Sequence, residues 1–221
     1  MADPITLVTL TDPLAPASEA YRSLRMNLQF AALDRPLRTL LVTSPGQGEG
    51  KSTCLANLAV TMAQVEQRVI AVDCDLRRPH LHVLLGLCNE VGFTTMMLDE
   101  RALQAPPLQA TAVNDLRALT SGPLPPRPAD LLGSKRMELV IARLLEEADL
   151  LLFDAPPLMA AADATVLAAK VDGVLLVVSA GETKREAVQR SIERLRKVNA
   201  NIVGAVLNNA PLDADLQADY R

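Results

Sequence analysis

The stretch Ser44-Pro45-Gly46-Gln47-Gly48-Glu49-Gly50-Lys51-Ser52-Thr53 restricts the fold more than any other part of the chain. A short apolar run, Thr39–Val42, leads into it, and a helix-periodic segment follows from Ser52 to about Gln67. Glycines let backbone N–H groups turn inward and wrap an anion without Cβ clashes. The helix that follows offers its free N-terminal amides and dipole to the same anion. Lys51 supplies a point charge for β/γ-phosphate oxygens, and Ser52 a hydroxyl for Mg²⁺. Gly46, Gln47, Gly48, Glu49, Gly50 and Thr53 complete the candidate nucleotide cradle. The usual pattern begins with glycine where this chain has Pro45, which alters the entry to the loop and leaves its phosphate-facing half intact. Alone, the stretch could be a flexible turn beside a surface lysine; the flanking strand and helix favour a phosphate loop.

Further short apolar runs, Val69–Val72, Leu150–Phe153, Gly173–Val178 and Ile202–Leu207, alternate with helical stretches near 136–147, 162–170 and 186–198. Uninterrupted strands of this kind are buried on both faces. They predict an α/β fold: a doubly wound, mostly parallel sheet with helices on both sides. Leu116–Thr120 reads as one more strand, and residues 79–107 as an insertion with one or two short helices. One domain over residues 18–211 is expected, between a loose leader (1–17) and a mobile acidic tail (212–221).

Two apolar runs end in acids: Val69-Ile70-Ala71-Val72-Asp73-Cys74-Asp75 and Leu150-Leu151-Leu152-Phe153-Asp154. In an open parallel sheet, ligands sit beyond the carboxyl ends of the strands. Asp73, Asp75 and Asp154 are therefore expected at the same edge as the phosphate loop. There a carboxylate can hold Mg²⁺, directly or through water, or accept a proton from an attacking hydroxyl. The net charge of −4 gives no reason to expect nucleic acid. Three cysteines without C-x-x-C spacing suit a reducing cytosol. No apolar run approaches the ~20 residues of a membrane span.

With the second acidic strand in place, the chain resembles the bacterial tyrosine kinases of capsule and exopolysaccharide synthesis, within the wider P-loop group that includes the MinD and ParA ATPases. The resemblance rests on three motifs: the loop ending at Thr53, V-I-A-V-D-C-D-L-R-R-P through Pro79, and L-L-L-F-D-A-P-P through Pro157. It implies ATP and Mg²⁺, with Lys51 on the phosphates and Thr53 on the α-phosphate. Ser52, Asp73 and Asp154 would serve the metal, and Asp73 and Asp75 would activate the tyrosine hydroxyl. Asn208, in V-L-N-N, resembles an adenine-contacting asparagine of the wider group. Glu19, Arg22 and Arg25 form E-x-x-R-x-x-R on one helix face and resemble the family's oligomerisation motif. The resemblance further implies a homo-oligomeric ring, protein substrates in polysaccharide synthesis, and a transmembrane polysaccharide co-polymerase as activator. That partner would keep a cytoplasmic protein at the inner face of the membrane.

The chain departs from the family in its tail, which carries one tyrosine, Tyr220, instead of a cluster. Tyr220 is the expected phosphoacceptor, because Tyr21 lies within the interface helix. Two alternatives to an autokinase stay open: a MinD/ParA-like ATPase switch, and an ATP-gated scaffold. The switch proteins carry a second lysine early in the loop, where this chain has Gly46.

Overall fold

The computed structural model describes residues 7–31 and 36–211. Strands β1 (Thr39–Thr43), β2 (Val69–Asp73), β3 (Gln109–Ala110), β4 (Leu116–Leu119), β5 (Leu150–Asp154), β6 (Gly173–Ser179) and β7 (Ile202–Asn208) make one sheet in the order β3-β4-β2-β5-β1-β6-β7. Every pairing is parallel except β3 with β4. Every residue of β1, β2 and β5 is buried, as their unbroken apolar sequences require. β7, at the edge, alternates toward solvent and leaves Leu207 exposed.

Successive strand residues send their side chains to two separate cores. Leu40, Val42, Val69, Ala71 and Leu152 meet α2 (Pro16–Ala31), α3 (Lys51–Ala63) and α4 (Leu81–Leu85). Leu41, Ile70, Val72, Leu151 and Phe153 meet helices on the other face. These are α5 (Phe93–Leu98), α7 (Pro128–Gly133), α8 (Lys135–Glu147), α9 (Asp163–Ala168) and α10 (Arg185–Lys197). The doubly wound arrangement expected from the alternating pattern is present. α3, which carries Lys51 at its start, is buried on almost every side, from Cys54 through Ala63. Its run of small and aliphatic residues fits a helix packed between the sheet and α2.

Three sequence expectations need correction. The leader is not loose throughout: α1 (Val8–Thr11) packs onto α3, with Leu7 and Thr9 buried. The Thr9 amide and hydroxyl both donate to Asn57 Oδ1, at 3.1 and 2.9 Å. Polar sequence concealed this, because the anchor is a side chain 48 residues away. Second, the helix begins before the expected boundary at 18: Pro16 starts α2, and Ser18 lies inside it with its hydroxyl donating to the carbonyls of Val8 and Asp12. Proline suits a first helical position because its N–H would have no helical partner there. Third, the insertion holds three short helices (α4, α5 and α6, Glu100–Gln104) and leads to the two-residue strand β3, too short to show periodicity. Residues 212–221, with Tyr220, lie outside the described residues.

Asn57→Ala would leave two buried Thr9 donors without a partner, which costs about 2–4 kcal/mol. Urea unfolding measures the loss; a change below about 0.5 kcal/mol would mean that α1 contributes nothing to the fold.

Candidate functional site

The strand order builds the site. β5 lies between β2 and β1, so Asp154 pairs in register with Asp73 on one side and with Val42 on the other. The tips of three adjacent parallel strands thus bring the phosphate loop and both acidic segments together. Gly48 and Gly50 adopt positive φ angles of 81° and 84°. Ordinary side chains resist such angles, which explains glycine at both positions. A Cβ on Gly50 would also collide with the amide nitrogen of Asn208. That amide donates to the Glu49 carbonyl at 3.0 Å, so Asn208 presses on the loop from the end of β7.

Glu49 is more than a loop residue. Its Oε1 accepts from the Gly46 amide at 3.1 Å and from the Thr183 hydroxyl at 2.8 Å. Burial pushes its carboxyl up, and the two hydrogen bonds work against that shift. The phosphate loop is therefore tied to the segment between β6 and α10. No spacing in the sequence signals a bond across 134 residues.

Lys51 Nζ lies 3.0 Å from Asp75 Oδ2, 3.6 Å from Asp154 Oδ1 and 3.1 Å from Ser52 Oγ. Burial opposes its charge, but Asp154 and Asp75 outweigh burial and hold its pKa above the ordinary lysine value. Ser52 Oγ donates to Asp154 Oδ2 at 2.5 Å. Asp154 is fully buried and its carboxyl is pushed up by that burial, against the pull of Lys51 and Ser52. Among the described residues, its Oδ1 accepts no hydrogen bond.

The two acids at the end of β2 face different ways. Asp73 accepts the amides of Asp75, His80 and Leu81, and so organises the segment leading to α4. Burial, then the neighbouring Asp154, pushes its carboxyl up to about 8. Asp75 instead lines a cleft beside Lys51, between Gln47–Gly48, the Arg77–Arg78 pair and the wall Pro156, Pro157 and Ala160. Arg77 grips the buried Asp163 through Nε at 2.6 Å and Nη2 at 3.1 Å. The sequence showed Arg77 in its motif but gave no sign of Asp163, the start of α9 86 residues later.

A second hollow lies between α2 and the end of β7, lined by Ala20, Tyr21, Leu24, Asn208, Asn209 and Pro211. The Tyr21 hydroxyl is half-enclosed there, and burial pushes its pKa up. Thr53 is exposed on the first turn of α3. Glu19 and Arg22 pair with each other at 2.9 Å, and Arg25 donates to the Thr61 carbonyl of its own chain. Cys54 and Cys74 are buried packing residues. Among the described residues, no group of three or more His, Cys, Asp or Glu side chains is arranged to hold a metal. Ser52 Oγ and the orphaned Asp154 Oδ1 nevertheless suit Mg²⁺, which keeps several waters and takes its remaining oxygens from substrate phosphates.

A family model described as ParA, the NUBPL iron-transfer P-loop NTPases, matches residues 37–215. The chain is 38% identical to the tyrosine-protein kinase YwqD of Bacillus subtilis (strain 168) over 97% of its own length and 90% of the relative's. It is 32% identical to the putative tyrosine-protein kinase CapB of Staphylococcus aureus, over 94% and 91%. The kinase domain of the Escherichia coli tyrosine kinase ETK superimposes with a TM-score of 0.89 at 31% identity, covering 97% of this chain and 84% of that one.

Two outcomes follow from the geometry. Gly50→Ala, strained in φ and blocked by Asn208, should weaken nucleotide binding at least about tenfold in calorimetric titration. Wild-type affinity in that variant would show that the loop's shape is not what binds phosphate. Asp73 stays protonated in the folded chain up to about 8, whereas an unfolded aspartate ionises near pH ~4. The folded state then holds the extra proton, so stability falls as pH rises through that window. Between about pH 7 and 8.5 the chain should lose about 1 kcal/mol of stability. Urea unfolding at both pH values checks this, and a flat or rising stability would contradict it.

Proposed function

The chain belongs to the bacterial tyrosine-protein kinases built on the ParA-type P-loop fold, and from that premise we propose that it transfers the γ-phosphoryl group of ATP to tyrosine hydroxyls, Tyr220 among them. The observation that carries the proposal is the convergence of Lys51, Ser52, Asp154 and Asp75 at the mouth of the loop, beside a proline-walled cleft open to an acceptor.

The roles divide by what each side chain touches. Loop amides from Gly46 to Thr53 and the N-terminus of α3 receive the phosphates, and the Lys51 ammonium offsets their charge. Ser52 Oγ and Asp154 Oδ1 would hold Mg²⁺, which would supply positive charge to offset the charge developing on the phosphate oxygens. Asp75, in the cleft, is positioned to take the phenolic proton. The tyrosine oxygen bonds to the γ-phosphorus as the bond to the β,γ-bridging oxygen breaks. That electron pair leaves with ADP. Asp73, held by three backbone amides, fixes the segment that carries Asp75. The hollow of Tyr21, Asn208 and Pro211 borders the loop and is the natural seat for the adenosine end. Proline and alanine surfaces pack an aromatic ring and exclude water from the transfer.

This reading places the chain in exopolysaccharide or capsule production, phosphorylating itself and proteins of that apparatus. It implies a transmembrane polysaccharide co-polymerase as partner, holding the kinase at the inner face of the membrane. Among the described residues, no helix is long and apolar enough to cross a membrane. The Glu19–Arg22 pair on α2 is a half-exposed charged face suited to a second copy in a homo-oligomeric ring.

Incubation with γ-labelled ATP and Mg²⁺ tests the activity directly. The wild type should acquire phosphotyrosine, Lys51→Met about 100-fold less or below detection, and Tyr220→Phe almost none on itself. Phosphate release with no labelled tyrosine on the chain or on added substrate would replace the kinase reading with a nucleotide switch.

A further inference from the structure

The acceptor cleft has an uneven charge distribution. Lys51 is matched by Asp75 and Asp154. Arg77 is matched by Asp163, a fully buried carboxylate that takes two of its N–H groups. Arg78 differs from both. Its backbone amide donates to Asp75 Oδ1 at 3.0 Å, which anchors it one residue beyond the Arg77 clamp. Its side chain is exposed at the cleft wall and has no ion pair or side-chain hydrogen bond among the described residues. The mouth of the cleft thus presents one uncompensated guanidinium, a side chain away from the carboxylate assigned to the tyrosine proton.

We infer that Arg78 selects the phosphoacceptor: the cleft takes tyrosines flanked directly by an acidic residue, whose carboxylate pairs with the Arg78 guanidinium while the ring packs on Pro156 and Pro157. This rests on the kinase reading and adds to it the chemical class of peptide. Three features carry it. Arg78 is the cation in the cleft with no charge partner. Its main chain is fixed by the same carboxylate that faces the acceptor, so the cation cannot drift from the chemistry. The chain's own tail reads Asp213-Ala214-Asp215-Leu216-Gln217-Ala218-Asp219-Tyr220, with an acid directly before its tyrosine. A planar guanidinium suits this task, since it meets a carboxylate through two parallel N–H donors. The Asp163–Arg77 pair contributes by neutralising the neighbouring arginine, leaving a single recognition charge.

The test compares two peptides spanning residues 212–221, one native and one with Asp219→Lys, on the full-length chain. An exposed pair contributes a few-fold and a like-charge pair costs a similar factor, so kcat/KM should favour the native peptide about tenfold. Arg78→Ala should bring the ratio near one, Arg78→Glu should invert it, and Arg78→Lys should keep the preference. Because each ratio is internal to one variant, a general loss of activity does not imitate the result. Fluorescence anisotropy of the labelled peptides gives the same comparison without turnover. Equal handling of both peptides by the wild type, or a ratio unchanged in Arg78→Glu, overturns the inference and leaves the kinase reading intact. A raised KM for ATP with the peptide ratio unchanged would reassign Arg78 to the nucleotide and also overturns it. Discrimination in binding with no phosphotyrosine on either peptide takes down the kinase reading, and the selection of a phosphoacceptor with it.

Discussion

One ammonium group faces three carboxyl groups in a place almost without water. Lys51 sits within 3.0 Å of Asp75 and 3.6 Å of Asp154, and Asp73 pairs with Asp154 across the sheet. Taking so much charge out of solvent is costly unless every group is matched. The site is not matched: the carboxyls of Asp73 and Asp154 are both held above their ordinary range, and among the described residues Asp154 Oδ1 has no hydrogen-bond partner. A site in this condition gains from a second cation and from an anion that draws Lys51 away from its acids. The proposed magnesium and nucleotide would supply both together.

Such a site needs a rigid support, and the fold provides it. The strands that end at the site, β1, β2 and β5, are buried along their whole length, with a separate apolar layer on each side. α3 carries Lys51 and Ser52 on its first turn and is itself enclosed from Cys54 onward. A packed interior of this density resists displacement, so the side chains at the strand tips are held in place by the core. The Glu49–Thr183 and Asn208–Glu49 contacts then fix the one part of the loop that the helix does not hold.

Much of this was legible from sequence, and the limits have physical reasons. Strands buried on both faces announce themselves by unbroken apolar runs, and the loop by glycines whose positive φ few other residues accept. Strand-tip acids can be placed because a parallel sheet gathers strand ends at one edge. What escaped notice depends on pairs distant in the chain. Thr9 with Asn57, Arg77 with Asp163 and Glu49 with Thr183 are each joined across 48 or more residues and follow no local period. The separation of Asp73 from Asp75 was hidden for another reason. Acids two positions apart at a strand tip look alike until the backbone turns: both accept amides of their own segment, and of the two it is Asp75 that pairs with Lys51.

The grip of Asn208 on the loop has a consequence for how the protein is made. Its hydrogen bond to the Glu49 carbonyl spans 159 residues, and β7, which carries Asn208, is the last strand of the sheet. The central strand β1 likewise waits for β5 and β6, both of which emerge from the ribosome long after it. Domains tend to fold as units during synthesis, and this one cannot finish its nucleotide cradle until β7 is available. A chain that stops before β7 therefore lacks a completed cradle.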